Sequence, residues 1–168
     1  MGKSKGGRSV LPLGLVILGG WQSAGMADTY RSVQLSQMGE GRYKAVNRRG
    51  GVLPISSGED PDFSPVELLL AAIAGCTALD VAHITGKRAE PESFSLRCSG
   101  DKIRDELGNR MVNLTVTLDI TFPEGEAGDA ARDVLPRTIE QTRDRLCTVS
   151  RTVAVESPVT MEQGRLDG

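Results

Sequence analysis

The stretch SPVELLLAAIAGCTALD, residues 64–80, decides most of what this chain can be. Ser64, Pro65 and Glu67 form a helix start. The serine hydroxyl can accept a backbone N–H, proline at the first helical position leaves no donor unpaired, and an acid three residues after the serine closes a capping box. From Leu68 to Ile84, leucine, alanine, isoleucine and valine then cover every face, and Gly86 ends the run. A helix apolar all round belongs at the centre of a fold, and its small residues let a second backbone come close. Into this surface the chain sets one thiol, Cys76, and two carboxylates, Glu67 and Asp80. At about 100° per residue, Asp80 and His83 share the face of Cys76, whereas Glu67 points away from it. Glu67 therefore reads first as a cap, an acid at the positive end of the helix.

Around this helix the patterning is that of strands. Val33 and Leu35 alternate with polar residues after Tyr30, and Tyr43 and Ala45 lead into a turn at 47–51, an antiparallel start. VLPIS, residues 52–56, carries a proline suited to an edge strand or a loop entrance, and GEDPDFSP is a connecting loop. In SFSLRCS, residues 93–99, Phe94, Leu96 and Cys98 share one face, which makes Cys98 a packing residue. Residues 112–122 place Val112, Leu114, Val116, Leu118, Ile120 and Phe122 at every second position, so one face of that strand must be covered. Residues 123–129 read as a polar loop, and Pro136 is expected to open a second main helix. Ile139, Leu146, Val149 and Val153 give that helix an apolar face, continued through a local break near Cys147. SPVTM is expected as a last strand.

Composition narrows the function. A chain of 168 residues suits one domain with a real core. With 20 Lys+Arg against 22 Asp+Glu and scattered basic residues, it offers no track for nucleic acid. Three cysteines without zinc-ribbon spacing make neither a disulfide scaffold nor a finger, and a single histidine excludes any site needing two imidazoles within the chain. Cys76, Asp80 and His83 alone are an incomplete metal pattern. Residues 1–27 differ from the rest. They are basic, then apolar, then small, similar to a weak secretory signal, with an apolar run too short for a membrane span and interrupted by Pro12 and Gly14. A translation start at Met26 or a disordered extension is the competing reading, and it makes the protein cytoplasmic. The expected organisation is an N-terminal extension over 1–27 and one domain over 28–168.

A thiol in an apolar helix is inert unless something ionises it. At an ordinary pKa near 8.5 about 3% is thiolate at neutral pH, whereas a pKa of roughly 6 gives about 90%. Desolvation works in the wrong direction, so a cation must come from elsewhere. Arg42 in GEGRYKA and the pair Arg48 and Arg49 are the candidates before the helix.

SPVELLLAAIAGCTALDV together with the later RLCTVSRTV resembles the OsmC/Ohr family of thiol peroxidases, over about residues 30–163. The resemblance implies a two-layer α+β fold, with antiparallel sheets around a central buried helix, that forms an intertwined homodimer with active sites at the subunit interface. It also implies a peroxidatic role for Cys76, a resolving role for Cys147 and a match of Arg42 to the family's early arginine, which Glu67 would meet. The activity implied is reduction of organic hydroperoxides through a Cys76 sulfenate and a disulfide between Cys76 and Cys147. An external dithiol resets the pair, and no metal or flavin is required. One departure stands out. The organic hydroperoxide resistance branch places a glutamate directly after the helix-start proline, where this chain has Val66, with the acid one residue later at Glu67. One position rotates a helical side chain by about 100°, so this chain looks closer to the less characterised OsmC-like branches. The alternative function is a non-catalytic dimer of the same fold that binds a small hydrophobic ligand or senses redox state through Cys76 and Cys147.

Overall fold

The computed structural model describes residues 29–165. The chain divides into two units, Met1–Ser32 and Val33–Gly168, and the elements below all belong to the second. The extension expected over 1–27 lies outside the described residues. In order the elements are β1 (Val33–Gly39), β2 (Arg42–Asn47), β3 (Val52–Ile55), α1 (Pro65–Thr85), β4 (Ser93–Asp105), β5 (Gly108–Thr121) and α2 (Glu126–Gln141). A single π-helical turn (Thr142–Leu146) and α3 (Thr148–Ala154) follow. This is an α+β fold with two antiparallel sheets, β1-β2-β3 and β4-β5.

The first sheet turns on glycines. Gly41 (φ 65°) and Gly50 (φ 82°) take left-handed conformations that close the two hairpins. Only Ala45 and Ile55 of its strands are buried. The second sheet is one long hairpin in which the expected alternation appears on both strands, with even-numbered positions turned inward over 94–100 and 112–120. Phe94 pairs with Ile120, Leu96 with Leu118 and Cys98 with Val116. A register shift between Ser99 and Asp101 coincides with Asn113 at φ 54°, whose side-chain amide donates to Asp101 at 2.8 Å. The shift marks a bulge in the hairpin.

Helix α1 begins and ends as its sequence dictates, but its burial differs from expectation. Its buried residues, Ile73, Thr77, Val81 and Thr85, recur every four positions and define one stripe. The neighbours of the helix are β4, α2, the π turn and α3. Thr77 and Thr85 enter this stripe without cost, because their hydroxyls donate to Ile73 O at 2.9 Å and Val81 O at 2.8 Å. The rest of the apolar surface is uncovered, with Leu79 75% exposed and Ala71, Ala72, Gly75 and Ala82 open. One chain supplies partners for only one side. By length and mean hydropathy (1.7) α1 could cross a membrane, yet one side of it packs on four neighbours.

Two sequence expectations are corrected after β5. Pro136 does not open the second helix; it lies inside α2, which starts ten residues earlier at Glu126. Glu126 and Asp129 in the first turn favour that start through the helix dipole, and they outweigh the polar look of 123–129. Tight packing fixes the start as well, since a Cβ built on Gly128 would collide with the carbonyl oxygen of Pro123. Gly128→Ala is therefore expected to destabilise the fold by about 2 kcal/mol, read by urea denaturation; unchanged stability would show that the loop can yield. The last strand is absent. SPVTM is exposed and irregular, because an alternating pattern makes a strand only where a sheet edge offers hydrogen bonds.

Candidate active site

Two segments far apart in the chain meet beside α1. Cys76 stands near the middle of that helix. Cys147 stands where the helical path after α2 breaks: the π turn adds a residue to the turn, and Cys147 then takes an extended conformation (φ −66°, ψ 102°) before α3 restarts. The break makes Cys147 the N-cap of α3, its sulfur accepting the Ser150 N–H at 3.4 Å and lying 3.1 Å from Ser150 Oγ. Neither sulfur is in a disulfide. Cys76 is half-buried and Cys147 wholly buried. The two Sγ atoms and a carboxylate oxygen of Asp80 all lie within 4.8 Å of one another.

The electrostatics of the pair are uneven. Burial pushes the Cys76 thiol up; the Val149 N–H pulls the other way, and the hydrogen bond and charge of Cys147 and the charge of Asp80 add to the rise. Burial also penalises the Cys147 thiolate, but hydrogen bonds from the Ser150 hydroxyl, from Cys76 and from the Ser150 N–H bring it below the ordinary thiol value. Its surroundings thus disfavour the charged form of Cys76, the reverse of the expectation for that thiol. Among the described residues no cation appears among the groups acting on either sulfur.

The other expected residues are placed elsewhere. Arg42 opens β2, and its guanidinium is held by Asp62 at 2.7 Å and Asp60 at 3.5 Å, two loop carboxylates that capture it short of Cys76. Glu67 closes the capping box: its carboxylate accepts the Ser64 N–H at 2.8 Å and the Ser64 hydroxyl at 2.7 Å, while its own N–H reaches Ser64 Oγ at 3.3 Å. These bonds to Ser64, its hydroxyl first, hold the Glu67 carboxyl below its usual range. A depressed folded-state pKa stabilises fully above the unfolded value and loses that contribution as pH falls through the folded one. Glu67→Gln keeps the box without the charge, so it is expected to be less stable than wild type at neutral pH and to converge with it in acid. Denaturant midpoints across that range check this, and a constant difference would refute it. His83 is exposed and outside the cysteine cluster.

Sequence reasoning did not join Asp80 to both sulfurs, nor find Ser150. The latter had a signal, since Ser150 follows Cys147 at the spacing of a cap and its third residue. A cavity of about 330 Å³ adjoins the pair, lined by Ile73, Thr77, Leu114, Val116, Leu118, Ile139, Thr142, Arg143, Ser150, Val153 and Ala154. Its wall is mostly apolar, with Thr77 beside Cys76 in sequence and Ser150 bonded to Cys147. Arg143 is turned to Asp144, at 2.7 Å.

A long capped helix carrying one thiol, crossed by a helical break carrying another, beside a long antiparallel hairpin, defines a class of small α+β proteins. The chain belongs to the OsmC-like family, whose model matches residues 58–162. Solved structures share the fold. An OsmC-like protein of unknown function from Vibrio cholerae is 14% identical, with a TM-score of 0.62 over 74% of this chain and 93% of that one. An OsmC-like protein from Mycoplasma pneumoniae is 12% identical, with 0.61 over 76% and 89%. A Legionella pneumophila protein named as organic hydroperoxide resistance protein OsmC is 16% identical, with 0.50 over 76% and 90%. No curated protein matches the chain.

Proposed function

We propose that the chain is a cysteine-based peroxidase that reduces organic hydroperoxides, with Cys76 as the attacking sulfur and Cys147 as the resolving one. The observation that carries this reading is the meeting of two free cysteines, one half-buried and one buried, within 4.8 Å. Accessibility assigns the roles, since a peroxide can reach Cys76 and not Cys147. The Cys76 sulfur attacks the terminal peroxide oxygen; the O–O bond breaks, and the departing alkoxide takes the Cys76 proton to leave as alcohol. The Cys147 thiol loses its proton and its sulfur attacks the Cys76 sulfenic sulfur; the S–O bond breaks, and the departing hydroxide takes that proton to leave as water. An external dithiol returns two electrons and resets the pair.

Arg42 and Glu67 act in this reading as positioning residues, tying the 56–64 loop and the start of α1 in place. The uncovered face of α1 and the exposed Val33, Leu35, Tyr43, Val52 and Leu53 of the first sheet favour a homodimer, the second copy lying on these apolar surfaces. A cytoplasmic location, where dithiol reductants are abundant, completes the proposal. Mass spectrometry after one equivalent of cumene hydroperoxide tests it, the expected product being a chain linked between Cys76 and Cys147.

The apolar cavity supports a second reading, a dimer that binds a small hydrophobic ligand without turnover. In that case Cys76→Ser keeps the affinity for an apolar probe, and neither it nor wild type consumes peroxide.

A further inference from the structure

We infer that Cys76, Cys147 and Asp80 form, in the reduced chain, a binding site for a thiophilic divalent cation of the zinc class. The sequence showed Cys76 and Asp80 one helical turn apart with His83 as an incomplete third. The fold replaces the exposed imidazole with a buried sulfur from the start of α3. A tetrahedral ion with metal–sulfur bonds of about 2.3 Å and a metal–oxygen bond of about 2.0 Å needs donor atoms somewhat under 4 Å apart, and these three already lie within 4.8 Å of one another. A rotamer adjustment closes the difference, because two of the donors stand at i and i+4 on one rigid helix.

Charge and hydrogen bonding point the same way. Two thiols and a carboxylate converge, and among the described residues no cation appears among the groups acting on either sulfur. Asp80 Oδ2 is buried with no hydrogen-bond partner, although nearly all buried carboxylate oxygens have one. Thr142 Oγ1 is likewise unpartnered, on a residue 1% exposed that lies in the wall of the adjoining cavity. The donor set selects the metal: two soft sulfurs and one oxygen favour a zinc-like ion over magnesium or calcium. On binding, each thiol hands its proton to solvent as its sulfur–metal bond forms, so two thiolates and one carboxylate surround the dication. Three protein ligands leave a fourth position open.

The site uses the same sulfurs as the proposed peroxidase but stands without turnover, and a disulfide between them would withdraw both sulfur ligands and release the ion. The test is a titration of the reduced, full-length chain with Cd²⁺ in the absence of peroxide, following the ultraviolet thiolate-to-cadmium band, with Zn²⁺ measured by competition. About one ion per chain is expected. Cys98→Ser leaves the band unchanged, Cys76→Ser and Cys147→Ser each remove about half of it, and Asp80→Asn weakens binding roughly tenfold or more. Serine can still cap α3, and asparagine conserves the size of Asp80, so circular dichroism should show these variants folded. Absence of stoichiometric binding, a band undiminished by Cys76→Ser, or an Asp80→Asn affinity equal to wild type overturns the inference. Peroxide consumption by the metal-free chain is scored separately, so either reading can fail while the other stands.

Discussion

Cys76→Ser abolishes consumption of cumene hydroperoxide in the presence of excess dithiol, while Cys98→Ser retains it. The serine hydroxyl conserves shape but is a far weaker nucleophile than a thiol, and among the described residues no other sulfur has both access to solvent and a thiol partner. The expected loss is at least a thousandfold, down to the uncatalysed rate. Cys147→Ser separates the two steps. Attack proceeds, the sulfenic acid at Cys76 has no partner, and turnover depends on direct attack by the external dithiol, which is slower. Mass spectrometry should then find an oxygen adduct at Cys76 in this variant and an internal link in wild type. Wild-type rates in Cys76→Ser, or thiols left intact after one equivalent of peroxide, would sink the peroxidase proposal.

Leu79→Lys is expected to convert a homodimer into a monomer at micromolar concentration, as read by sedimentation velocity. Leu79 is 75% exposed in the middle of the uncovered face of α1. Stable dimers bury about 1,600 Å² around a central apolar patch, and a charge set there in both copies loses its hydration without gaining a partner. Val159→Lys, on the equally exposed C-terminal segment (80%), serves as the control and should leave the mass unchanged. A wild-type chain that sediments as a monomer would remove the dimer from the proposal and leave the bare face of α1 without a partner.

What was legible in the sequence was local. Ser64, Pro65 and Glu67 fixed the start of α1 because a capping box needs nothing beyond four residues, and alternation marked β4 and β5 because each strand buries one face. The break near Cys147 showed in the interrupted apolar spacing. What depends on distant partners was not legible in the same way. The all-apolar helix suggested burial on every side, whereas only one stripe finds cover within its own chain. Arg42 could be named as a cation but not followed to Asp60 and Asp62, since nothing in the spacing says which carboxylate a long side chain will meet. Asp80 was left without a role because its second neighbour, Cys147, arrives only through the turn after α2. Pro136 misled for the opposite reason: a strong local preference for a first turn was overridden by the acids and tight glycine packing ten residues upstream.

The sulfur of Cys147 also holds the first turn of α3, accepting the Ser150 N–H. Whatever engages that sulfur, a second sulfur or an ion, alters the cap of a seven-residue helix with no buried residue of its own. The chemical state of one atom would then be written into the order of the backbone from 148 onward, where amide exchange could read it.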